Sequence, residues 1–296
     1  MTPEISIVLI SYEMARELPR TLHSLSPEYQ RNCPAGRCEV IVVDNGSRTP
    51  PTAADLPETS GTVHLHIFPD PTPSPAAAIN FGLARARGEL VGVWIDGARL
   101  ASPGLIDACA RAAALYPRAV VATSSFHLGP DVQYASILNG YDAAEEDRLL
   151  ASIGWPASAS RLPDIATPVW RSGVDGPMLE SNALFMRRAL WEELGGYDEA
   201  FVGPGGGAVN PDTFIRACAL PDAKLIRVQR EATYHQIHGG TISNAPNRAV
   251  EAGKLLAREY FRLRRKPLLP VRETGWLFDP LTGNVQEGGL AGEAVE

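Results

Sequence analysis

The sequence of 296 residues predicts an α/β domain in which helices flank a mostly parallel central sheet. Two observations support this fold class. Short apolar runs alternate along the first half of the chain with segments of helical periodicity, which is the pattern of successive strand–helix–strand units. Several runs are apolar at nearly every position rather than at every second one, as expected for strands that helices cover on both faces.

The first half of the chain supplies most of these elements. Ile5 to Ile10 is a near-continuous apolar run and predicts a buried strand, and leucines recur at helical spacing over residues 18–25. A later helix has Pro75 at its start and Gly88 just past its end, which are the positions that these two residues prefer. The predicted strands are residues 5–10, 40–43, 63–68, 90–95 and 120–123, and the predicted helices are residues 18–25, 75–87 and 103–116.

The second half of the chain is less regular. Residues 127–178 are rich in Gly, Pro, Asp and Ser, which predicts loops. Asn210 precedes a helical pattern and is a favoured residue type for an N-cap. The further predicted strands are residues 179–186 and 223–228, and the further predicted helices are a short one that ends at 194, then 211–219 and 249–265.

Composition excludes several classes of protein. Apolar residues make up 45% of the chain, which is enough for a well-buried core, and the net charge of −7 comes without the basic stripe of a nucleic-acid-binding protein. No apolar stretch is long enough to span a membrane, and no basic segment precedes an apolar core at the N-terminus. We therefore expect a cytoplasmic protein. Cys33 and Cys38 flank a short turn and are close enough to pair, but we expect both thiols to be reduced.

Three predicted strands end in polar clusters, namely Ser11–Glu13, Asp44–Ser47 and Asp96–Arg99. In open α/β sheets, ligands bind outside the carboxyl ends of the strands. The sequence therefore predicts a polar binding site at that edge of the sheet.

Seven segments follow one another over residues 4–240. They are Ile5–Glu13 (an apolar strand and a polar turn), Val42–Ser47 (V-V-D-N-G-S), Ala78–Gly82 (A-x-N-x-G), Asp96–Ala98, Gly195–Glu199 (G-G-Y-D-E), Val209–Asp212 at the start of a helix, and His235–Gly240. In kind and order this set resembles the motifs of family 2 glycosyltransferases, which are inverting enzymes with the Rossmann-like GT-A fold. Asp96-Gly97-Ala98 stands in the place of the D-x-D motif of that family, and the histidine motif occurs late in the chain, as it does in the family.

The resemblance implies a GT-A domain over residues 1–265, with a nucleotide-binding half at 1–100 and a loop-rich acceptor-binding and catalytic half at 101–245. Residues 266–296 would form a C-terminal extension with a partly mobile tail. It also implies a nucleotide diphosphate-sugar donor, with UDP as the usual nucleotide, and a hydroxyl acceptor that the sequence does not identify. The donor-binding residues carried over from the motifs and the polar turns are Ser11, Tyr12, Glu13, Asp44, Asn45, Asn80 and Asp96.

The resemblance further implies a divalent cation, Mn²⁺ or Mg²⁺, at the D-x-D motif. Its ligands here would be Asp96 and His238, because the late histidine of the family precedes a glycine. Ala98 replaces the second acid, and a strand would place residues 96 and 98 on one side, which leaves a gap beside Asp96. Three alternatives follow: a weakly held metal, its replacement by a cation such as Arg99 or Arg248, or a degenerate site. We expect Arg99 to lie at the surface.

The catalytic base is the second position at which this chain departs from the family. An inverting transfer needs a base that deprotonates the acceptor hydroxyl. Family members take it from an E-D-x-D segment, and here Asn210 stands at that position, so Asp212 is the candidate base. Asp175 and Glu180 are second candidates. Because two acids are missing, an alternative is a degenerate GT-A module that binds a nucleotide sugar or a partner without turnover.

Overall fold

The structure is a computed structural model that describes residues 2–169, 176–239 and 249–288, without the side chains of 249–252. Its strands are β1 (Ile5–Ser11), β2 (Cys38–Asp44), β3 (Thr62–Ile67), β4 (Leu90–Trp94), β5 (Arg99–Ala101), β6 (Ala119–Leu128), β7 (Ala166–Pro168), β8 (Ala183–Arg187), β9 (Lys224–His235), β10 (Trp276–Phe278) and β11 (Val285–Glu287). Its helices are α1 (Glu17–Ser24), α2 (Ala76–Leu83), α3 (Leu105–Ala114), α4 (Gln133–Leu138), α5 (Ala143–Ser152), α6 (Arg188–Leu194), α7 (Val209–Cys218) and α8 (Ala249–Arg264).

The strands form one sheet in the order β11-β10-β9-β6-β8-β4-β1-β2-β3, and β5 and β7 pair with β9 and β6. β3, β2, β1 and β4 are parallel, and so are β6, β9 and β10. β8 lies between the two groups and runs antiparallel to both β4 and β6. The strands of the two groups therefore all point in the same direction. The predicted class, an α/β fold with a mostly parallel central sheet flanked by helices, is therefore confirmed.

The first strand shows why the sheet lies between two layers of helices. Ile7 and Leu9 are fully buried on one face, in the same apolar cluster as side chains of α1 and α3. Val8 and Ile10 point to the other face and pack in a cluster with side chains of α2, α7 and α8. Successive side chains of a strand alternate between the two faces, so an unbroken apolar run fits a strand that is covered on both.

The prediction of loops over residues 127–178 is wrong for much of this region, which contains α4, α5 and a 3-10 helix at Ala159–Ile165. Asp142 is a polar residue that serves as an N-cap, because its side chain accepts a hydrogen bond from the backbone of Glu145. Leu150 and Leu162 pack with side chains of β6 and β9 in a third apolar cluster. At Asp142, a polar residue therefore marks the start of a helix rather than a loop.

Two strands are longer than the sequence predicts. β6 and β9 stay paired past a register shift after Thr123, and His127 lies beside His235 at the end of this pairing. The extension is rich in polar and histidine side chains, which hide it from a search for apolar runs. Its consequence is that His235 is the last residue of β9, at the edge of the sheet where the predicted site lies.

The rest of the second half differs from the sequence prediction in two respects. α7 begins at Val209 with Ala208 as its N-cap, so Asn210 lies inside the first turn instead of capping it. β10 pairs in parallel with β9, so residues 276–278 belong to the central sheet. The boundary at residue 266 stays a prediction, and the predicted mobile tail falls in part on residues 289–296, outside the described residues. No helix in the described part of the chain is long and apolar enough to cross a membrane.

Candidate functional site

The candidate site lies where the carboxyl ends of β1, β2, β4 and β9 meet the start of β8. Ser11 pairs with Asp44 at the ends of β1 and β2, and Trp94 at the end of β4 pairs with Ala183 at the start of β8. β5 folds back along the end of β9. The polar segments that follow these strands are therefore held at one edge by a rigid sheet.

Asp96, His235 and His238 form a cluster at this edge. His235 Nε2 is 2.7 Å from Asp96 Oδ2, His238 Nε2 is 3.4 Å from the same oxygen, and the two Nε2 atoms are 3.1 Å apart. Each residue offers one ligand atom, and the three atoms lie within 4.8 Å of one another. The structure thus brings together the two predicted metal ligands and adds His235, to which the sequence analysis gave no role.

The charges in the cluster are strongly coupled. Burial raises the pKa of Asp96, but the imidazoles of His238 and His235 outweigh it and hold that pKa well below its ordinary value. Burial and the nearby charge of Arg99 lower the pKa of His235 to about 4. Burial lowers the pKa of His238 too, but Asp96 outweighs it and raises that pKa. The cluster therefore contains an ionised carboxylate and a neutral imidazole, which are the protonation states that bind metals.

The donor set fits a divalent cation. Octahedral ligands at about 2.1 Å from a metal lie about 3 Å from their neighbours. The separations of 2.7, 3.1 and 3.4 Å in this cluster are close to that value. Imidazoles are ligands of transition metals, whereas Mg²⁺ prefers oxygen ligands, so two imidazoles and one carboxylate suit a transition-metal ion better than Mg²⁺.

The prediction of a gap beside Asp96 at the position of Ala98 is wrong, because residues 96–98 are not part of a strand. β4 ends at Trp94, so residues 96–98 form a turn in which Asp96 Oδ1 accepts a hydrogen bond from the Ala98 N–H, at 2.9 Å. Ala98 is fully buried in the apolar cluster on the α1 side of the sheet. A side chain on Gly97 would meet the Ile10 carbonyl oxygen at 2.5 Å, so the turn needs glycine there. Ala98 is therefore a core residue and leaves no opening beside Asp96.

The prediction that Arg99 lies at the surface is wrong. Arg99 is 7% exposed, its guanidinium lies 3.7 Å from Asp96, and it donates a hydrogen bond to Ser125 Oγ at 2.9 Å. β5 places it there because its backbone pairs with the end of β9. Arg99 thus adds a buried positive charge beside the cluster of Asp96, His235 and His238, and Arg248, the other predicted cation, lies outside the described residues.

The loop that carries the histidines is held by α5 and by the start of α1. Glu146 is fully buried and accepts a hydrogen bond from the Ile237 N–H at 2.6 Å, and Arg16 donates to the Ile237 carbonyl at 3.3 Å. Arg16 also pairs with Glu146 at 3.1 Å. Both backbone groups of Ile237 are thereby fixed, and this residue stands between His235 and His238. The helix that the sequence did not predict is therefore part of the support of the cluster.

The predicted donor-binding residues after β1 differ in exposure. The Ser11 side chain is buried, whereas the Tyr12 side chain is 54% exposed beside the site. Glu13 has a positive φ of 54°, donates its N–H to Ser47 Oγ and pairs with Arg48. Of these residues, Tyr12 is the one with an aromatic face open to a ligand.

The turn after β2 uses its own polar side chains. Asp44 is fully buried, and its carboxylate accepts hydrogen bonds from the N–H groups of Gly46 and Ser47 and from Ser47 Oγ. A direct contact between Asp44 and a nucleotide would require the carboxylate to leave this turn. Asn45 donates to the Thr72 carbonyl, and its buried Oδ1 has no partner among the described residues. This acceptor atom is therefore unpaired among the described residues, and a ligand would reach it only if the turn opened.

Asn80 holds a turn rather than the Asp96 cluster. Its amide accepts a hydrogen bond from the Tyr197 N–H at 2.9 Å and donates to the Tyr197 carbonyl and to Glu199. A side chain on Gly196, whose φ is 65°, would lie 2.5 Å from Asn80 Oδ1. The A-x-N-x-G and G-G-Y-D-E motifs thus pack against each other. The amide of Asn80 is therefore occupied within this turn, and the diphosphate contact assigned to it from the sequence stays a prediction.

Asp212 takes part in an ion-pair network. It is fully buried in α7, and its oxygens accept hydrogen bonds from Arg216 at 2.8 Å and from two nitrogens of Arg264 at 2.6 and 2.7 Å. Arg264 also pairs with Asp198, so it ties α8 both to α7 and to the segment that follows α6. The carboxylate would meet an acceptor hydroxyl only if these ion pairs opened. The contacts therefore give Asp212 a structural role, and the catalytic role assigned to it from the sequence stays a prediction.

Glu180 is the second candidate base that the structure describes, and its charge acts on Arg99, which lies beside Asp96. It precedes β8 and accepts a hydrogen bond from Asn210 Nδ2 at 2.8 Å. Asn210, in turn, accepts one from the Tyr197 hydroxyl at 3.4 Å. Glu180 is partly exposed, whereas Asn210 is buried. Asp175, the remaining candidate, lies outside the described residues.

Two supports of the cluster were missed by the sequence analysis. His235 stands in the recognised histidine motif, and only the true length of β9 shows that it faces Asp96. A search that extended the predicted strand beyond its apolar run and inspected the polar residues at its end would have found His235. Glu146 gives no local signal, because it contacts Ile237 across 91 positions of the sequence.

The chain was also compared with known proteins. A family model described as glycosyl transferase family 2 matches residues 6–193. A search of curated proteins found no match. In the solved structures, TarS 1-349 from S. aureus in complex with UDP-GlcNAc has a TM-score of 0.52 at 16% identity, over 87% of this chain and 66% of that one.

The mannosyltransferase PcManGT from Pyrobaculum calidifontis, in complex with GDP-Man and Mn²⁺, has a TM-score of 0.50 at 18% identity, over 90% of this chain and 65% of that one. This chain therefore spans about two thirds of the length of these structures, and at such identities the likeness shows the fold alone. The family model covers more than half of the chain, from β1 into α6. The chain belongs to glycosyl transferase family 2 and has the GT-A fold.

Proposed function

We propose that this protein transfers a sugar from a nucleotide diphosphate-sugar to a hydroxyl acceptor, with inversion at the anomeric carbon and with a divalent cation at Asp96, His235 and His238. The observation that supports this most is the convergence of these three ligand atoms within 4.8 Å at the carboxyl edge of a GT-A sheet. A diphosphate leaving group carries growing negative charge, and a cation held there stabilises it by acting as a Lewis acid.

The residues around the cluster have separate roles in this proposal. The exposed ring of Tyr12 is suited to stack on the nucleotide base, and the unpaired Oδ1 of Asn45 would accept a hydrogen bond from the donor if the turn after β2 opened. Arg99 keeps a positive charge next to Asp96, on the side of the site that contacts Ser125. The two solved structures contain a uridine and a guanosine nucleotide, so UDP and GDP sugars are the donors to test first.

The test is the release of nucleoside diphosphate from UDP-GlcNAc and GDP-Man, with water as the acceptor. We expect release with Mn²⁺, several-fold less with Mg²⁺ because two of the three ligands are imidazoles, and none in excess EDTA. Calorimetry with UDP and GDP, with and without Mn²⁺, measures binding separately. Metal-dependent nucleotide binding without turnover across sugar acceptors would instead support a degenerate module, the alternative suggested by the missing acids at positions 98 and 210.

A further inference from the structure

We propose that Glu180 is the general base of the transfer and that Asn210 positions it. This inference rests on the proposed function and names the catalytic carboxylate within it. The family motif places an acid at the position of Asn210, and an amide cannot remove a proton. The structure sets Glu180 directly beside that amide, at 2.8 Å. The carboxylate has therefore moved to a neighbouring position of the same site rather than been lost.

The fold places Glu180 at the edge that carries the metal cluster. Ala183, the first residue of β8, pairs with Trp94, the last residue of β4. Glu180 lies three residues before Ala183, and Asp96 lies two residues after Trp94. Asp96 and Glu180 therefore lie at the same end of two neighbouring antiparallel strands, β4 and β8. The buried guanidinium of Arg99 lies 3.7 Å from Asp96 and also interacts with the charge of Glu180.

The hydrogen bonds of Asn210 leave one oxygen of Glu180 available. A carboxylate only accepts hydrogen bonds, so the Asn210 atom that faces Glu180 Oε2 is the amide nitrogen. Asn210 Oδ1 is then the acceptor for the Tyr197 hydroxyl, which fixes the orientation of the amide. Among the described residues, none donates to Glu180 Oε1. Oε1 is therefore the atom that faces an acceptor hydroxyl, while Oε2 is anchored.

An asparagine at position 210 fits a glutamate at position 180. Two carboxylates at 2.8 Å would repel each other and share one proton, which would weaken either as a base. An amide at 210 removes that repulsion and adds a donor. Asp212 is less suited than Glu180 to act as the base, because Asp212 is fully buried and is paired with two arginines.

The chemical step balances with Glu180 as the base. The acceptor hydroxyl gives its proton to Glu180 Oε1 while its oxygen forms a bond to the anomeric carbon of the donor sugar. The bond from that carbon to the diphosphate oxygen breaks, and the nucleoside diphosphate leaves with the electron pair. Glu180 then returns its proton to water. A base acts mainly in the transition state, so its removal lowers turnover more than donor affinity.

The experiment compares Glu180→Gln, the double variant Glu180→Gln/Asn210→Asp and the wild type. The readouts are nucleoside diphosphate release from the better of UDP-GlcNAc and GDP-Man, and binding of the matching nucleoside diphosphate with Mn²⁺ by calorimetry. We expect Glu180→Gln to lower turnover about 10²- to 10⁴-fold with unchanged nucleotide affinity. In the double variant, the carboxylate stands at 210 and the amide at 180, and we expect at least a tenfold recovery over Glu180→Gln.

The matched control is Glu199→Gln. Glu199 is also a carboxylate that accepts a hydrogen bond from an asparagine amide, that of Asn80 at 2.8 Å, but it lies in the turn before α7. Turnover should stay at the wild-type level in this control. Wild-type turnover in Glu180→Gln, equal losses of turnover and nucleotide affinity, or no recovery in the double variant would overturn the proposal. Failure of the proposed function itself looks different, because the wild type would then release no diphosphate.

Discussion

Replacing Asp96 with alanine is expected to abolish the Mn²⁺-dependent part of nucleotide binding and to lower turnover at least about a hundredfold. Asp96 is the residue that contacts both histidines and Arg99, and it is the anionic ligand of the cluster. Without it, two imidazoles and a guanidinium remain, and this arrangement repels a cation. Calorimetry with UDP or GDP, with and without Mn²⁺, measures the first effect, and diphosphate release measures the second.

The control for this variant is Asp107→Ala. The Asp107 side chain is 13% exposed and pairs with Arg37, so it resembles Asp96, which is 19% exposed, in burial and pairing, but it lies on α3. The control should keep metal-dependent binding and turnover. Metal-dependent nucleotide binding that survives in Asp96→Ala would show that the cation, if there is one, binds elsewhere.

Replacing Asp212 with asparagine is expected to lower the free energy of unfolding by about 3 kcal/mol. Its carboxylate is fully buried and pairs with Arg216 of its own helix and with Arg264 of α8. Removal of its charge leaves Arg216 and Arg264, whose side chains are only partly exposed, without the anion with which they pair. Denaturant unfolding measures the stability, and turnover per folded molecule should remain within a few-fold of the wild type.

Asp147→Asn is the matched comparison. Asp147 also accepts hydrogen bonds from two arginines, Arg16 and Arg20, but its side chain is 50% exposed. Exposed ion pairs contribute less than about 1 kcal/mol to stability, so Asp147→Asn should lower the free energy of unfolding much less than Asp212→Asn does. A variant Asp212→Asn with wild-type stability and strongly reduced turnover would restore Asp212 as the base and contradict the structural role.

The fold was predictable to the extent that apolar runs encode it. β1 and β4 are buried on both faces, so their sequences reveal them directly. The ends of β6 and β9 were not predictable in this way, because the two strands stay paired beyond their apolar runs, through residues such as His127 and His235. Helix α5 was hidden by polar residues such as Asp142, whose side chain caps it.

The site was predictable where a residue follows a strand directly. Asp96 and His238 were found from their motifs, and the structure places them 3.4 Å apart. The roles of Asn80 and Asp212 depend on long-range contacts, with Tyr197 and with Arg264, which no local pattern contains. For the same reason, the sequence could rank Glu180 only as a second candidate, since its contact with Asn210 spans 30 positions.

The central claim is that Asp96, His235 and His238 hold the divalent cation of a nucleotide-sugar site. The most direct test is an anomalous difference map from crystals grown with MnCl₂ and UDP or GDP, whichever binds more tightly by calorimetry. We predict a manganese peak at coordination distance from Asp96 Oδ2 and from the Nε2 atoms of His235 and His238, with the diphosphate on its open side. A bound nucleotide with no manganese at these three atoms, or with manganese held by other residues, would contradict the claim.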